Sequence, residues 1–247
     1  MPSSLGSTRF GIPSLDEIFN GGIQIGSFIL IDSSENLTKV FTKAFLGEGS
    51  ANKDHLFVYS ENPSLAEIGN IKRIGNLSAR GSITVRYETF NKNCLIDQPY
   101  TIETVTSNMN YKDLKHSKLD CSTEDFYHHL WRSIKEDIKE AGSHSPSRVI
   151  IHDIFGIGWQ NQSLSEIFEF LKAIKTLLKS QNAICMVTAS YRKLNPHIQD
   201  MLFQACDVMF VGDEEKISIQ KSPRSIHLTS KDFVINSILG APVLEVA

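Results

Sequence analysis

Residues 11–27, GIPSLDEIFNGGIQIGS, and the run that follows them, Phe28–Lys39 (FILIDSSENLTK), decide the fold. Ser14 followed three residues later by Glu17 has capping-box spacing, which predicts a short helix with Leu15, Ile18 and Phe19 on its apolar side. Gly21-Gly22 then supplies the positive-φ freedom that ends a helix. Ile23–Gly26 leads directly into FILID, a short apolar run that reads as a buried strand.

Further along the chain, short apolar runs alternate with segments of helical period. Leu56–Tyr59, Ile83–Tyr87, Val149–His152, Ala183–Thr188, Val208–Val211 and Ile217–Gln220 read as strands. Leu37–Leu46 reads as a helix. So does Thr123–Ala141, where Phe126, Leu130, Ile134 and Ile138 recur every four residues and Ser122 with Asp125 resembles a capping box. Ile167, Leu171, Ile174 and Leu178 mark a third helix over Leu164–Ser180, with a box pattern at Ser163 and Glu166. Asn195-Pro196 has N-cap and first-turn chemistry for a fourth, running to about Ala205. This alternation predicts an α/β fold, a mostly parallel sheet with helices on both faces. One domain over residues 1–247 is expected, with the polar, weakly periodic residues 91–121 as a loop excursion.

Composition fits a globular chain: 41% hydrophobic and 21% charged residues, at a net charge of −3. That charge argues against a uniformly basic nucleic-acid module. The four cysteines (94, 121, 185 and 206) include no CxxC pair, and Cys185 sits in an apolar run as a small hydrophobe. No apolar stretch approaches the ~20 residues of a membrane span, so a soluble, intracellular protein is expected. His128 and His129 diverge by about 100° around a helix and do not form a metal pair; no metal site is expected. Trp131 reads as partly buried core, and Trp159 as an anchor for the loop at Gly156–Gly158.

The string G-[IV]-x-x-L-D-x-x-x-x-G-G-[IL]-x-x-G resembles the opening of RecA-like ATPases of the KaiC and RadA kind. In those proteins the next strand delivers a P-loop, G-x-x-x-x-G-K-[ST], whose backbone N–H groups cradle phosphate. Here the strand delivers Ser33, Ser34, Glu35, Asn36, Leu37, Thr38 and Lys39. No glycine is present to supply positive φ, Glu35 brings negative charge, and Lys39 has no hydroxyl residue after it. This is a degenerate Walker A segment. Glu61, after the second strand, and Asp153, which ends RVIIHD, stand where active RecA-like relatives have catalytic and magnesium-organising acids, so by resemblance to the RecA-like ATPases they read as remnant acids.

Among RecA-like proteins the chain resembles the PAXNEB family of Elongator subunits, whose members lack a standard P-loop. The resemblance runs from GIPSLDEIFNGGIQIGSFILID through Glu61-Asn62-Pro63, Val85-Arg86-Tyr87 (against W-R-Y), His116–Asp120, Arg148–Trp159 (RVIIHDIFGIGW), Leu177–Thr188 and Ser222-Pro223-Arg224. It departs at Val85, where the family has tryptophan, and in the weakly matching His116 segment. The resemblance implies a non-catalytic accessory subunit without a cofactor, joined to two paralogous RecA-like subunits in a six-membered ring. That ring would bind tRNA and support wobble-uridine modification by a catalytic Elongator core, with ATPase activity confined to the assembly. The loop after Ala183–Thr188 would face the ring channel, where Tyr191 could stack on a base and Arg192 and Lys193 could meet phosphate. A degenerate recombinase paralogue shares the opening signature and is the alternative; an ATPase with an unusual loop is a third reading.

Overall fold

The computed structural model describes residues 6–60, 84–91, 100–108, 114–121, 126–142, 144–153, 164–223, 226, 232–238 and 241–246. The strands are β1 (Ser7–Thr8), β2 (Ile23–Gln24), β3 (Phe28–Asp32), β4 (His55–Ser60), β5 (Thr84–Asn91), β6 (Tyr100–Asn108), β7 (Leu114–Cys121), β8 (Ser147–His152), β9 (Ala183–Thr188), β10 (Val208–Gly212), β11 (Lys216–Lys221), β12 (Asp232–Ile238) and β13 (Ala241–Val246). The helices are α1 (Pro13–Ile18), α2 (Glu35–Asn52), α3 (Phe126–Ala141), α4 (Leu164–Ser180) and α5 (Pro196–Ala205), with a 3₁₀ turn at Tyr191–Lys193.

Eleven strands form one sheet in the order β13-β12-β11-β10-β3-β9-β8-β4-β5-β6-β7. The middle, from β10 to β5, is parallel, and the outer strands on both sides run antiparallel. Alternation along each central strand sends its side chains to two cores. Phe28, Leu30, Tyr59, Ile151 and Val187 meet the buried stripes of α3, α4 and α5. Ile29, Ile31, Val58, Ile150 and Met186 meet α1, α2 and the β11–β12 hairpin. Both faces are covered, as the alternating sequence predicts.

Several sequence expectations are corrected here. Residues 91–121, expected as a loop excursion, include β6 and β7, paired antiparallel with β5 and with each other. Their polar sequence hides them, because an outer strand has no need of a continuous apolar run. Strands β12 and β13 were also missed. Ser14 is not the cap of α1: Ile12 holds the N-cap position without a side-chain bond, and Pro13 starts the helix with its fixed φ. Helix α2 starts at Glu35 rather than Leu37 and runs on to Asn52. The proposed boxes at Ser122 and Ser163 lie outside the described residues. Asn195 caps α5 as expected, accepting from His197 N at 2.9 Å.

The opening signature is explained by packing. Asp16 is buried and its carboxylate accepts the N–H groups of Phe10 (2.5 Å) and Gly11 (3.2 Å). Gly11 has φ +102°, and a Cβ there would lie 2.3 Å from the Ala44 carbonyl oxygen of α2. Gly22, at φ +133°, lies as tightly against the carbonyl of Thr8. These residues clamp the entry segment onto α2 and the small β1–β2 sheet. Beneath them, Arg148 of β8 is wholly buried. Its Nε donates to Asp54 at 2.6 Å, its Nη2 to Thr8 Oγ1 at 2.8 Å and its Nη1 to the Phe45 carbonyl at 3.3 Å. Gly49 leaves the room: a Cβ there would sit 2.5 Å from the Arg148 side chain.

Candidate functional site at the strand ends

In an open parallel sheet, ligands meet the carboxyl ends of the strands where the winding direction reverses. Chain order from β3 passes through α2 to β4, beyond β9 and β8 on one side. From β8 it passes back through β9 to β10 on the other side of β3. The reversal therefore falls between β3 and β9, with Asp32, Thr188, His152 and Gly212 at the neighbouring strand ends.

The segment after β3 contains no cradle. Only Ser33 and Ser34 separate the strand from α2. No residue from Ser33 to Lys39 has positive φ, so successive N–H groups do not converge into the concave nest that holds an anion. Ser34 caps the helix, with its Oγ accepting from Leu37 N at 3.4 Å. Ser33 Oγ and Thr38 Oγ1 hydrogen-bond each other at 2.9 Å. Glu35 lies in the first turn, where a carboxylate answers the positive end of the helix dipole. Lys39, the nearest cation, pairs with that same Glu35 at 2.8 Å, both side chains well exposed, an interaction of little energetic weight. Asn36 is an exposed first-turn residue with no chemistry of its own.

Across the reversal, Asp32 and Arg192 are joined. Asp32 is 5% exposed, and one carboxylate oxygen accepts both the backbone N–H and the Nε–H of Arg192, each at 2.9 Å. Arg192 Nη2 donates to the Gly212 carbonyl at 2.7 Å. One guanidinium thus ties together the ends of β3 and β10 and the turn after β9. Counted against G-x-x-x-x-G-K-[ST], Asp32 stands on the first glycine and Thr38 on the lysine. Asp32 was not singled out from sequence; an acid closing the FILID run was the available signal. Tyr191 leans partly on the core and Lys193 is exposed. The three expected RNA-facing residues thus share one turn but have different surroundings.

At the end of β8, Asp153 is exposed and has φ +47°, and its N–H donates to Thr188 Oγ1 at 2.9 Å. Thr188 Oγ1 lies 3.4 Å from His152 Nδ1. The threonine hydroxyl can donate to Nδ1 or accept from it according to the ring tautomer, and the other ring nitrogen is Nε2. That Nε2 is buried without a partner. Burial holds the imidazole neutral and lowers its pKa to about 4. Glu61 and Trp159 lie outside the described residues. Among the described residues no cluster of three or more His, Cys, Asp or Glu side chains could hold a metal ion. His128, on the surface of α3, lies 3.2 Å from an Arg132 nitrogen and has its ring 6.0 Å from that of Trp131. No helix among the described residues is long and apolar enough to cross a membrane.

The fold is similar to a KaiC-like protein from the archaeon Pyrococcus horikoshii OT3, with a TM-score of 0.63 at 14% identity over 98% of this chain and 99% of that one. No curated protein matches the chain in sequence. The family model described as PAXNEB protein matches residues 80–211, more than half of the chain and the part that carries β5 through most of β10. On that match, and with a RecA-like fold around it, the chain belongs to the PAXNEB family and is an Elongator-related protein.

Proposed function

We propose that this chain is a non-catalytic Elongator subunit: a RecA-like wall that joins two paralogous RecA-like subunits in a ring, binds tRNA there and supports wobble-uridine modification by a separate catalytic core. The observation that carries the reading is the passage from β3 to α2. A two-residue connection without positive φ, closed by Ser33–Thr38 and fronted by Glu35, replaces the loop that would hold a triphosphate. A motor fold stripped of its phosphate cradle retains its surfaces, and surfaces are what an accessory ring member contributes. Family membership favours this reading over a recombinase paralogue. The turn Tyr191–Lys193 is the candidate RNA contact, with Arg192 and Lys193 its exposed cations.

Two measurements test the proposal. Purification through a tag on the full chain, followed by native mass determination, should give a six-membered assembly containing two other RecA-like subunits; a recombinase partner would overturn it. Titration calorimetry of the isolated chain with Mg-ATP should show no binding, and micromolar affinity would restore the ATPase reading.

A further inference from the structure

We propose that Asp32 and Arg192 are positioning residues: together they lock the turn after β9 so that Lys193, and not Arg192, meets the phosphodiester backbone of RNA. This rests on the reading of the turn as an RNA contact. The sequence presents Arg192 and Lys193 as equivalent adjacent cations, and the structure separates them. Arg192 spends its backbone N–H and Nε on Asp32 and its Nη2 on the Gly212 carbonyl. A fork held at three points is a fixed element, because guanidinium geometry is rigid and the shared acceptor is charged and buried. The turn itself is one 3₁₀ unit in which Lys193 N donates to the Ser190 carbonyl at 3.0 Å and Leu194 N to the Tyr191 carbonyl at 3.0 Å. Before Lys193, Tyr191 packs against the core and Arg192 is anchored to Asp32; after it, Leu194 packs against the same core. Both side chains reach solvent, Arg192 at 55% exposure, and of the two it is Lys193 that stands, among the described residues, outside any ion pair. A backbone pinned on both sides of a lysine places its ammonium with less loss of freedom on binding.

Asp32→Asn distinguishes the roles, because direct contact and positioning predict opposite signs. The variant removes a negative charge beside the turn. If Arg192 touched RNA, freeing it would strengthen binding. If it positions Lys193, Asp32→Asn should weaken binding as Lys193→Ala does. The loss of one phosphate contact corresponds to roughly three- to fourfold at about 0.2 M salt, and to a fall of about one in the slope of log affinity against log salt. Arg192→Lys, which keeps the charge and loses the fork, should behave like Asp32→Asn. The assay is fluorescence anisotropy of labelled bulk tRNA with the complex purified through the full chain, over a salt series, with circular dichroism to confirm folding of each variant. If Lys193→Ala weakens binding while Asp32→Asn and Arg192→Lys leave it unchanged or tighter, the positioning role is wrong and the RNA surface stands. If Lys193→Ala changes neither affinity nor slope, the turn is no RNA contact and the proposal fails with that reading.

Discussion

Arg148→Met should be among the most damaging single substitutions in this chain. Arg148 is 0% exposed and its partner Asp54 is 2% exposed, so neither charge has recourse to water. Methionine roughly fills the aliphatic volume but removes the donors to Asp54, Thr8 and the Phe45 carbonyl, and the guanidinium lying 4.8 Å over the Phe45 ring. Stripping one partner from a buried pair costs about 3–5 kcal/mol, most of it the penalty of the orphaned charge. Against a total stability of about 5–15 kcal/mol that is a large fraction. Asp54 escapes part of the penalty by taking up a proton. Burial already pushes its carboxyl above the ordinary value, while the Arg148 hydrogen bond and charge pull it back; the substitution removes that counterweight. An acid with a raised folded pKa contributes stability present below the unfolded value and lost as pH rises. The deficit of Arg148→Met relative to the unsubstituted protein should therefore be largest near neutrality and shrink toward pH 4. The double substitution Asp54→Ala with Arg148→Met leaves no buried charge and should be more stable than Arg148→Met alone. Urea unfolding of the unsubstituted protein, Arg148→Met, Asp54→Ala and the double variant, followed by circular dichroism, measures all of this. A deficit under ~1 kcal/mol at pH 7, or simple additivity in the double variant, would refute the reasoning.

Two further predictions concern the strand ends and the entry clamp. His152 is neutral in the fold, with its pKa lowered to about 4 against an ordinary 6.5, so the unfolded chain binds the proton first. Its stability contribution is intact above about pH 6.5 and declines as pH falls to about 4, by about 3 kcal/mol in all; His152→Phe should flatten that limb of a stability-versus-pH curve, and an unchanged limb would exclude His152 as its source. Gly11→Ala should lower the melting temperature markedly, because it forces a Cβ to 2.3 Å from a main-chain oxygen at φ +102°, whereas Gly47→Ala in α2, which meets nothing within 4 Å, should raise stability by up to about 1 kcal/mol. Differential scanning calorimetry of both variants checks the pair.

The parallel middle of the sheet was legible because buried strands are continuous apolar runs and their helices carry four-residue repeats: Ala183–Thr188 and Leu164–Ser180 were read with their observed boundaries. The outer strands were not, since Tyr100–Asn108 and Leu114–Cys121 alternate polar residues that look like loop. The loss of the phosphate cradle was legible as missing glycines after FILID. The role of the opening signature was not, since nothing local says that Asp16 reaches back to Phe10 and Gly11. Arg192 was singled out for its charge, but its partner Asp32 is 160 residues away, a pairing that only the crossover connection from β3 to β9 creates.

That staple also bears on how reversible the ancestral loss is. Restoring the spelling of a nucleotide loop in that register takes glycines at Asp32 and Leu37, a lysine at Thr38 and a hydroxyl residue at Lys39, and the spelling would not restore the shape. Such a chain would have to unwind the first turn of α2, remove Glu35 from the dipole, and give up the ion pair that fastens three strand ends. Each intermediate step weakens the present architecture before any ligand repays it. On the proposed reading, a descent from motor to scaffold would behave as a ratchet, with hydrolysis more readily kept by a paralogue than regained here.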